Sequence, residues 1–173
     1  DLAVPDLAVS AVSGIDLRLI VTNLAAVNTT SGIVNFGDTT SGTPLTIGVV
    51  DGVTGLLNLG GALTVVNAFA ALTIDENISA SGNIVVQATS TNTGNQNLRL
   101  SAGHSVISSG GSVEIRGGDT VNFEAGSLVQ ADTSVLAGMF IVDGTGVFDF
   151  GGASIMAGTT VEIVGDGGVG LGM

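Results

Sequence analysis

The sequence predicts an all-β domain: a right-handed parallel β-helix of about six to seven coils, roughly 26 residues each. Three observations predict it. Short segments alternate apolar, polar, apolar and are bounded by Gly, Ser, Asn and Asp, the pattern of half-buried strands. The pairs Leu17/Leu19, Leu45/Ile47, Leu72/Ile74, Leu98/Leu100, Val121/Phe123 and Phe148/Phe150 recur at spacings of 28, 27, 26, 23 and 27 residues. A corner of six residues joins Leu57 to Leu63, Ile78 to Ile84, Ile107 to Val113, Val129 to Val135 and Ile155 to Val161. Parallel crossovers are overwhelmingly right-handed, which sets the expected hand.

Taken in order, residues 1–16 hold a small tandem, Asp1-Leu2-Ala3-Val4 and Asp6-Leu7-Ala8-Val9, split by Pro5. They are expected to form an N-terminal arm or an irregular first coil. Residues 17–165 carry the regular pattern, in three columns. The first holds Val34/Phe36, Leu63/Val65, Ile84/Val86, Val113/Ile115, Val135/Ala137 and Val161/Ile163. The second holds the recurring pairs above. The third holds Leu57, Ile78, Ile107, Val129 and Ile155. Residues 166–173 read as a Gly-rich tail or a junction to a next module. The chain starts at Asp1 rather than Met, so it is expected to be a mature product or a piece of something longer.

Strand alternation sends residues i and i+2 to one face and i+1 to the other. The residues between the second-column pairs are Arg18, Thr46, Thr73, Arg99, Asn122 and Asp149, all polar. The predicted inward core therefore includes Leu45, Leu72, Leu98, Val121 and Phe148, with Val113 and Ile115 on the first column. The corners are rich in Ser, Ala and Gly, as tight turns require. The links from first to second column vary in length, as surface loops do. One of them carries Met139, Phe140, Ile141 and Val142, an apolar run expected to form either an extra inward strand or a contact patch.

Composition narrows the function classes. The chain has 173 residues, a net charge of −12 and no cysteine or lysine. So acidic a surface repels phosphate backbones, and no nucleic-acid partner is expected. Without cysteine there are no disulfides or thiolate metal sites. No run of apolar residues is long enough for a membrane-spanning helix.

The candidate chemistry is sparse. His104, in Ser101-Ala102-Gly103-His104-Ser105, has Glu76 and Glu114 as its nearest acids in sequence and no partner motif. A histidine without an orienting acid is a weak general base, so it reads as a polar corner residue and the chain as a non-enzyme. Glu114 and Glu162 share an outward column with Leu136 between them, about two rungs apart, too far to share one calcium ion. Gly117-Gly118-Asp119 and Gly165-Asp166-Gly167-Gly168 match only fragments of a calcium-binding repeat. No cofactor is expected, and adventitious calcium is the extent of the metal chemistry. The outward Thr46 and Thr73 begin a threonine column that Arg99 and Asn122 interrupt.

Gly82 to Ala88 (G-N-I-V-V-Q-A), Gly110 to Asp119 (G-G-S-V-E-I-R-G-G-D) and Leu72 to Asn83 (L-T-I-D-E-N-I-S-A-S-G-N) resemble the repeats of filamentous-haemagglutinin-like bacterial adhesins and autotransporter-like exoproteins. Leu45 to Gly55 resembles a linker common in those repeats. The resemblance covers about residues 17–165. It implies an extracellular, cell-surface, elongated β-helix, of which this chain is an internal or downstream piece. The expected function is a non-catalytic rod module of an adhesin, matrix fibre or filament. Its expected partners are adjacent modules or other copies, joined end to end; a carbohydrate or cell-surface ligand is not specified by the sequence. The alternative is a pilin-like subunit that donates a strand from residues 1–16 to the next copy.

Overall fold

The computed structural model describes residues 2–38, 42–88, 97–139, 147–149, 152–165 and 169–170. Within these the chain is a parallel β-helix, and no helix occurs. Each apolar–polar–apolar triplet does what its alternation demands. In Leu45–Ile47, Leu72–Ile74 and Leu98–Leu100 the outer two side chains are buried and the middle one faces out. Two β-branched or leucine side chains per triplet, each worth roughly 1.5–3 kcal/mol when buried, drive every arc toward one axis.

The first column runs through Ile15, Val34, Leu63, Ile84, Val113, Val135 and Val161 in unbroken parallel register. The second runs through Leu45, Leu72, Leu98, Val121, Phe148 and Val169. The third runs through Val9, Ala26, Leu56, Ile78, Val106, Val129 and Ile155. Neighbouring rungs of a sheet lie about 4.8 Å apart. The inward residues of the three columns merge into one core, from Ile15 at the first coil to Ala137 near the last. Val113 and Ile115 have no exposed surface there, whereas Val161 on the last coil is 44% exposed.

Three expectations are corrected. Leu17 and Leu19 do not open the second column: Leu17 stacks on Phe36, in the first column, and the second column begins with Leu7 and Leu24. Leu57 and Ile107 do not point inward. Leu57 is in register with Ser79, which is in register with Ile107, all on the outer surface, and their neighbours Leu56 and Val106 are the buried residues. Both strands carry an apolar residue on each face, so alternation alone does not fix which is inside, and a slip of one residue inverts the face. The six-residue corner is not constant. It holds for Ile78 to Ile84, Val129 to Val135 and Ile155 to Val161, but Leu56 to Leu63 and Val106 to Val113 span seven residues and Ala26 to Val34 eight.

Corner length is matched by chemistry inside the corner. The second inward position of the third column is Ala11, Asn28, Asn58, Ala80, Ser108, Ala131 and Ala157 in successive coils. Alanine stands in each six-residue corner, and Asn or Ser in each longer one. The polar side chain in each longer corner hydrogen-bonds a backbone carbonyl of its own or the neighbouring corner, where a buried carbonyl must be satisfied. Asn28 Nδ2 donates to Ser31 O at 2.9 Å, Asn58 Nδ2 to Ala62 O at 2.6 Å and Ser108 Oγ to Gly82 O at 2.8 Å. The seven-residue corners also carry Gly60-Gly61 and Gly110-Gly111. A Cβ on Gly60 would sit 2.7 Å from Ser31 N, and one on Gly111 2.7 Å from Asn83 N, so the stacked backbones exclude any side chain.

The Leu45 to Gly55 segment adds a feature. Val49–Val50 and Val53–Thr54 pair antiparallel around Asp51 and Gly52, both at positive φ. Val50 is buried beneath this hairpin while Val49 faces out. Residues 6–16 form part of the long strand Asp6–Ile20, paired with Asn23–Asp38 of the same chain. Met139 ends the strand Ser134–Met139; Phe140, Ile141 and Val142 lie outside the described residues, as does most of 166–173.

Candidate functional site: a stacked polar turn

The densest polar chemistry lies where the second column turns toward the third. Ser101-Ala102-Gly103-His104 and Glu124-Ala125-Gly126-Ser127 are the same turn in successive coils. Each closes by a backbone hydrogen bond, His104 N to Ser101 O at 3.2 Å and Ser127 N to Glu124 O at 3.1 Å. Gly103 and Gly126 both have φ of +76°, a conformation glycine adopts without penalty. Asp75-Glu76-Asn77 occupies the coil below, held by Ser101 N donating to Ile74 O at 3.0 Å.

Side chains link the three levels. Arg99 Nε donates to Glu124 Oε1 at 2.7 Å, and Ala102 N donates to Glu124 Oε2 at 3.0 Å. Ser101 Oγ donates to Asp75 Oδ1. Ser105 donates to Asn77 Oδ1 through N at 2.9 Å and Oγ at 3.0 Å. His104 Nδ1 lies 3.9 Å from Glu76 Oε2. The hydrogen bond from Arg99, and after it the one from Ala102 N–H, holds the Glu124 carboxyl below its ordinary range. The Arg99 guanidinium is raised, chiefly by the same bond.

The stacking thus gives His104 an acidic neighbour, Glu76, one coil away. Every one of these contacts ties one coil to the next, and Ser101 and Ser105 are engaged by Asp75 and Asn77 rather than by the imidazole. The arrangement is that of a stacking clamp. Among the described residues no three His, Cys, Asp or Glu side chains converge in a way that would hold a metal ion.

The other acids follow the registers. Glu114 and Glu162 are separated by Leu136, and Glu114 pairs with Arg116 on its own strand. Gln87 Nε2 donates to Glu114 Oε1 at 3.2 Å across one rung. Leu45, Leu72, Leu98, Val121, Val113 and Ile115 are buried core, and Phe148 is in register above Val121. An open cleft of about 470 Å³ is lined by Gly42, Pro44, Phe69, Ala70, Ala71 and Asn97, with no charged group on its walls. Sequence reasoning missed both the clamp and Phe69. The clamp was within reach, because Asp75 and Ser101, Arg99 and Glu124, and Asn77 and Ser105 are each about one coil apart.

No family model, curated protein or solved structure matches this chain.

Proposed function

We propose that the chain is a non-catalytic rod module of a secreted, cell-surface adhesin, matrix fibre or filament, and that it works end to end with adjacent modules or other copies. One observation carries this reading. The parallel stack is continuous, yet its outermost coils are largely unpaired on one side among the described residues, with Leu2–Ala3 covering only Leu19–Ile20 of the first. Residues 6–18 pair with the second coil alone, and Ser154–Ala157 and Thr160–Gly165 pair only with the coil beneath. Rows of unpaired backbone donors and acceptors at a sheet edge are templates for a further strand. A head-to-tail contact of this kind does not close, so it generates a fibre.

The side chains support the same reading. The turn with the richest polar chemistry spends it on joining coils. The outward residues of the second column, Thr46, Thr73, Arg99 and Asn122, are all polar. Donation of residues 1–16 to a neighbour is the less favoured mode, because it would give up the nine register pairs that Asp6–Asp16 makes within the chain. Sedimentation velocity over a wide concentration range tests the proposal. Species that lengthen with concentration, with frictional ratios rising as for rods, support it; a compact monomer at every concentration and in every buffer would sink it.

A further inference from the structure

We propose that the outer face of the first column is a self-association surface, on which a second copy of this chain lies side by side and in the same direction, related by a two-fold axis along the stack. The inference goes beyond the rod reading and does not depend on it, because it concerns the flank of the stack.

The first column offers the broadest sheet among the described residues. Its strands Leu63–Asn67, Ile84–Ala88 and Val113–Gly117 are five residues long and set two outward residues on each rung, where Leu45–Ile47, Leu72–Ile74 and Leu98–Leu100 set one. These outward residues form two straight rows in register. One runs from Asp16 through Thr64 to Glu114, the other from Arg18 through Val66 to Arg116. An acid and an arginine therefore stand side by side on the first coil and again on the fifth, about 19 Å away at 4.8 Å per rung. Every outward residue between them is uncharged. The chain has only three arginines and a net charge of −12, and two of the three lie here, where they cancel Asp16 and Glu114. Glu162, two rungs beyond Glu114, is the one unmatched charge of the face among the described residues.

A two-fold axis along the stack sets rung on rung and crosses the two rows. Asp16 then faces the second copy's Arg18, Glu114 faces its Arg116, and each pair occurs twice, as an isologous contact requires. The same crossing sets bulk against space. Asn35 meets the second copy's Gly37, where a Cβ would touch nothing within 4 Å, and Leu136 meets its Gly138. Val66 comes one rung from the second copy's Val85, so four valines gather at the centre. With the rods antiparallel, Asp16 would face Glu114 and Arg18 would face Arg116, and directly opposed like charges disfavour that arrangement. The outer face of the third column, with Val27, Leu57 and Ile107, is uncharged too, but its strands there are mostly three or four residues wide and no charge pattern sets a register. Over six rungs the first-column face measures about 16 Å by 24 Å, roughly 400 Å², half of what each partner gives to a standard interface. The isolated chain therefore pairs weakly, and modules joined in series would pair more tightly.

The test is sedimentation equilibrium of the full chain at low and high salt, with circular dichroism to verify each fold. The proteins are the wild type, Glu114→Arg, the exchange of Glu114→Arg with Arg116→Glu, and Val66→Arg. We expect the wild type to pair with a dissociation constant of about 0.1–1 mM, and more weakly in salt, which screens exposed charges. Glu114→Arg sets arginine on arginine at two places and should weaken pairing about tenfold. The double exchange restores both the crossed pairs and the pair within the strand, and should return pairing to within about twofold of wild type. Val66→Arg blocks the centre without touching the ion pairs and should abolish pairing; with the double exchange it carries the test if Glu114→Arg fails to fold. A monomer at every concentration up to about 1 mM, or pairing that the double exchange does not restore, overturns the inference. Species that lengthen past two copies and ignore all three variants also overturn it, and leave the rod reading standing.

Discussion

Asn28 donates its side-chain amide to Asn58 Oδ1 at 2.8 Å, with both residues fully buried at one corner of the stack. The pair joins the eight-residue corner to the seven-residue corner above it. Asn58 also accepts from Gly60 N at 2.9 Å and donates to Ala62 O, so it serves two coils at once. Asn58→Ala takes the acceptor from Gly60 N and one bond each from Asn28 Nδ2 and Ala62 O, and should cost about 1–3 kcal/mol. Ala80→Gly, at the same corner position of the next coil, removes only a methyl and should cost about 1 kcal/mol. Urea unfolding of the two variants checks the difference.

Val113 and Glu114 are adjacent and face opposite ways. Val113→Asp places an unpaired charge among Ile84, Val135 and the rest of the core, and should cost several kcal/mol, on the order of 4 or more. Glu114→Gln loses a surface ion pair with Arg116 and should cost under about 1 kcal/mol. Equal urea midpoints for the two variants would contradict the assignment of faces.

Glu124 sets an acid-side dependence. Its folded carboxyl titrates below its ordinary value of 4.5, first because Arg99 hydrogen-bonds it and then because Ala102 N–H does. The ionised form is therefore favoured by folding. That contribution is complete above the ordinary value and disappears as pH falls through the lower folded value. Glu124→Gln should lose less of its urea resistance than wild type on acidification, and the two should differ most near neutrality. Parallel pH profiles for the two proteins would show that the clamp does not stabilise the stack.

Gly111 lies in a seven-residue corner with its α-carbon facing Asn83 of the coil below. Gly111→Ala must push the two coils apart and should cost about 1–3 kcal/mol, as overpacking does. Gly37→Ala, where a Cβ would meet nothing within 4 Å, is the control and should be close to neutral in thermal unfolding.

The first and second columns were legible because Val–x–Ile and Leu–x–Leu triplets there hold a polar residue between apolar ones, as in Val113-Glu114-Ile115 and Leu98-Arg99-Leu100. The third was misread at two of the places where apolar residues are adjacent. Leu56-Leu57 and Val106-Ile107 read equally well in either register, and the choice is made by stacking on Ile78. The long corners did leave a trace in the sequence. Asn58 and Ser108 stand where the short corners have alanine, and Gly-Gly follows each of them two residues on. The hairpin was also written there, as Asp51-Gly52 between Val49-Val50 and Val53-Thr54, the dipeptide suited to two positive φ angles. The polar clamp joins residues 25 to 28 positions apart, close to the coil period, but choosing those partners needs the length of each coil.

Electron microscopy of concentrated chain tests the central claim most directly. The account predicts continuous unbranched rods of uniform width, with averaged images showing layers about 4.8 Å apart along the rod axis. Discrete globular particles strung together like beads, or strands stacked with no repeat along the axis, would contradict it.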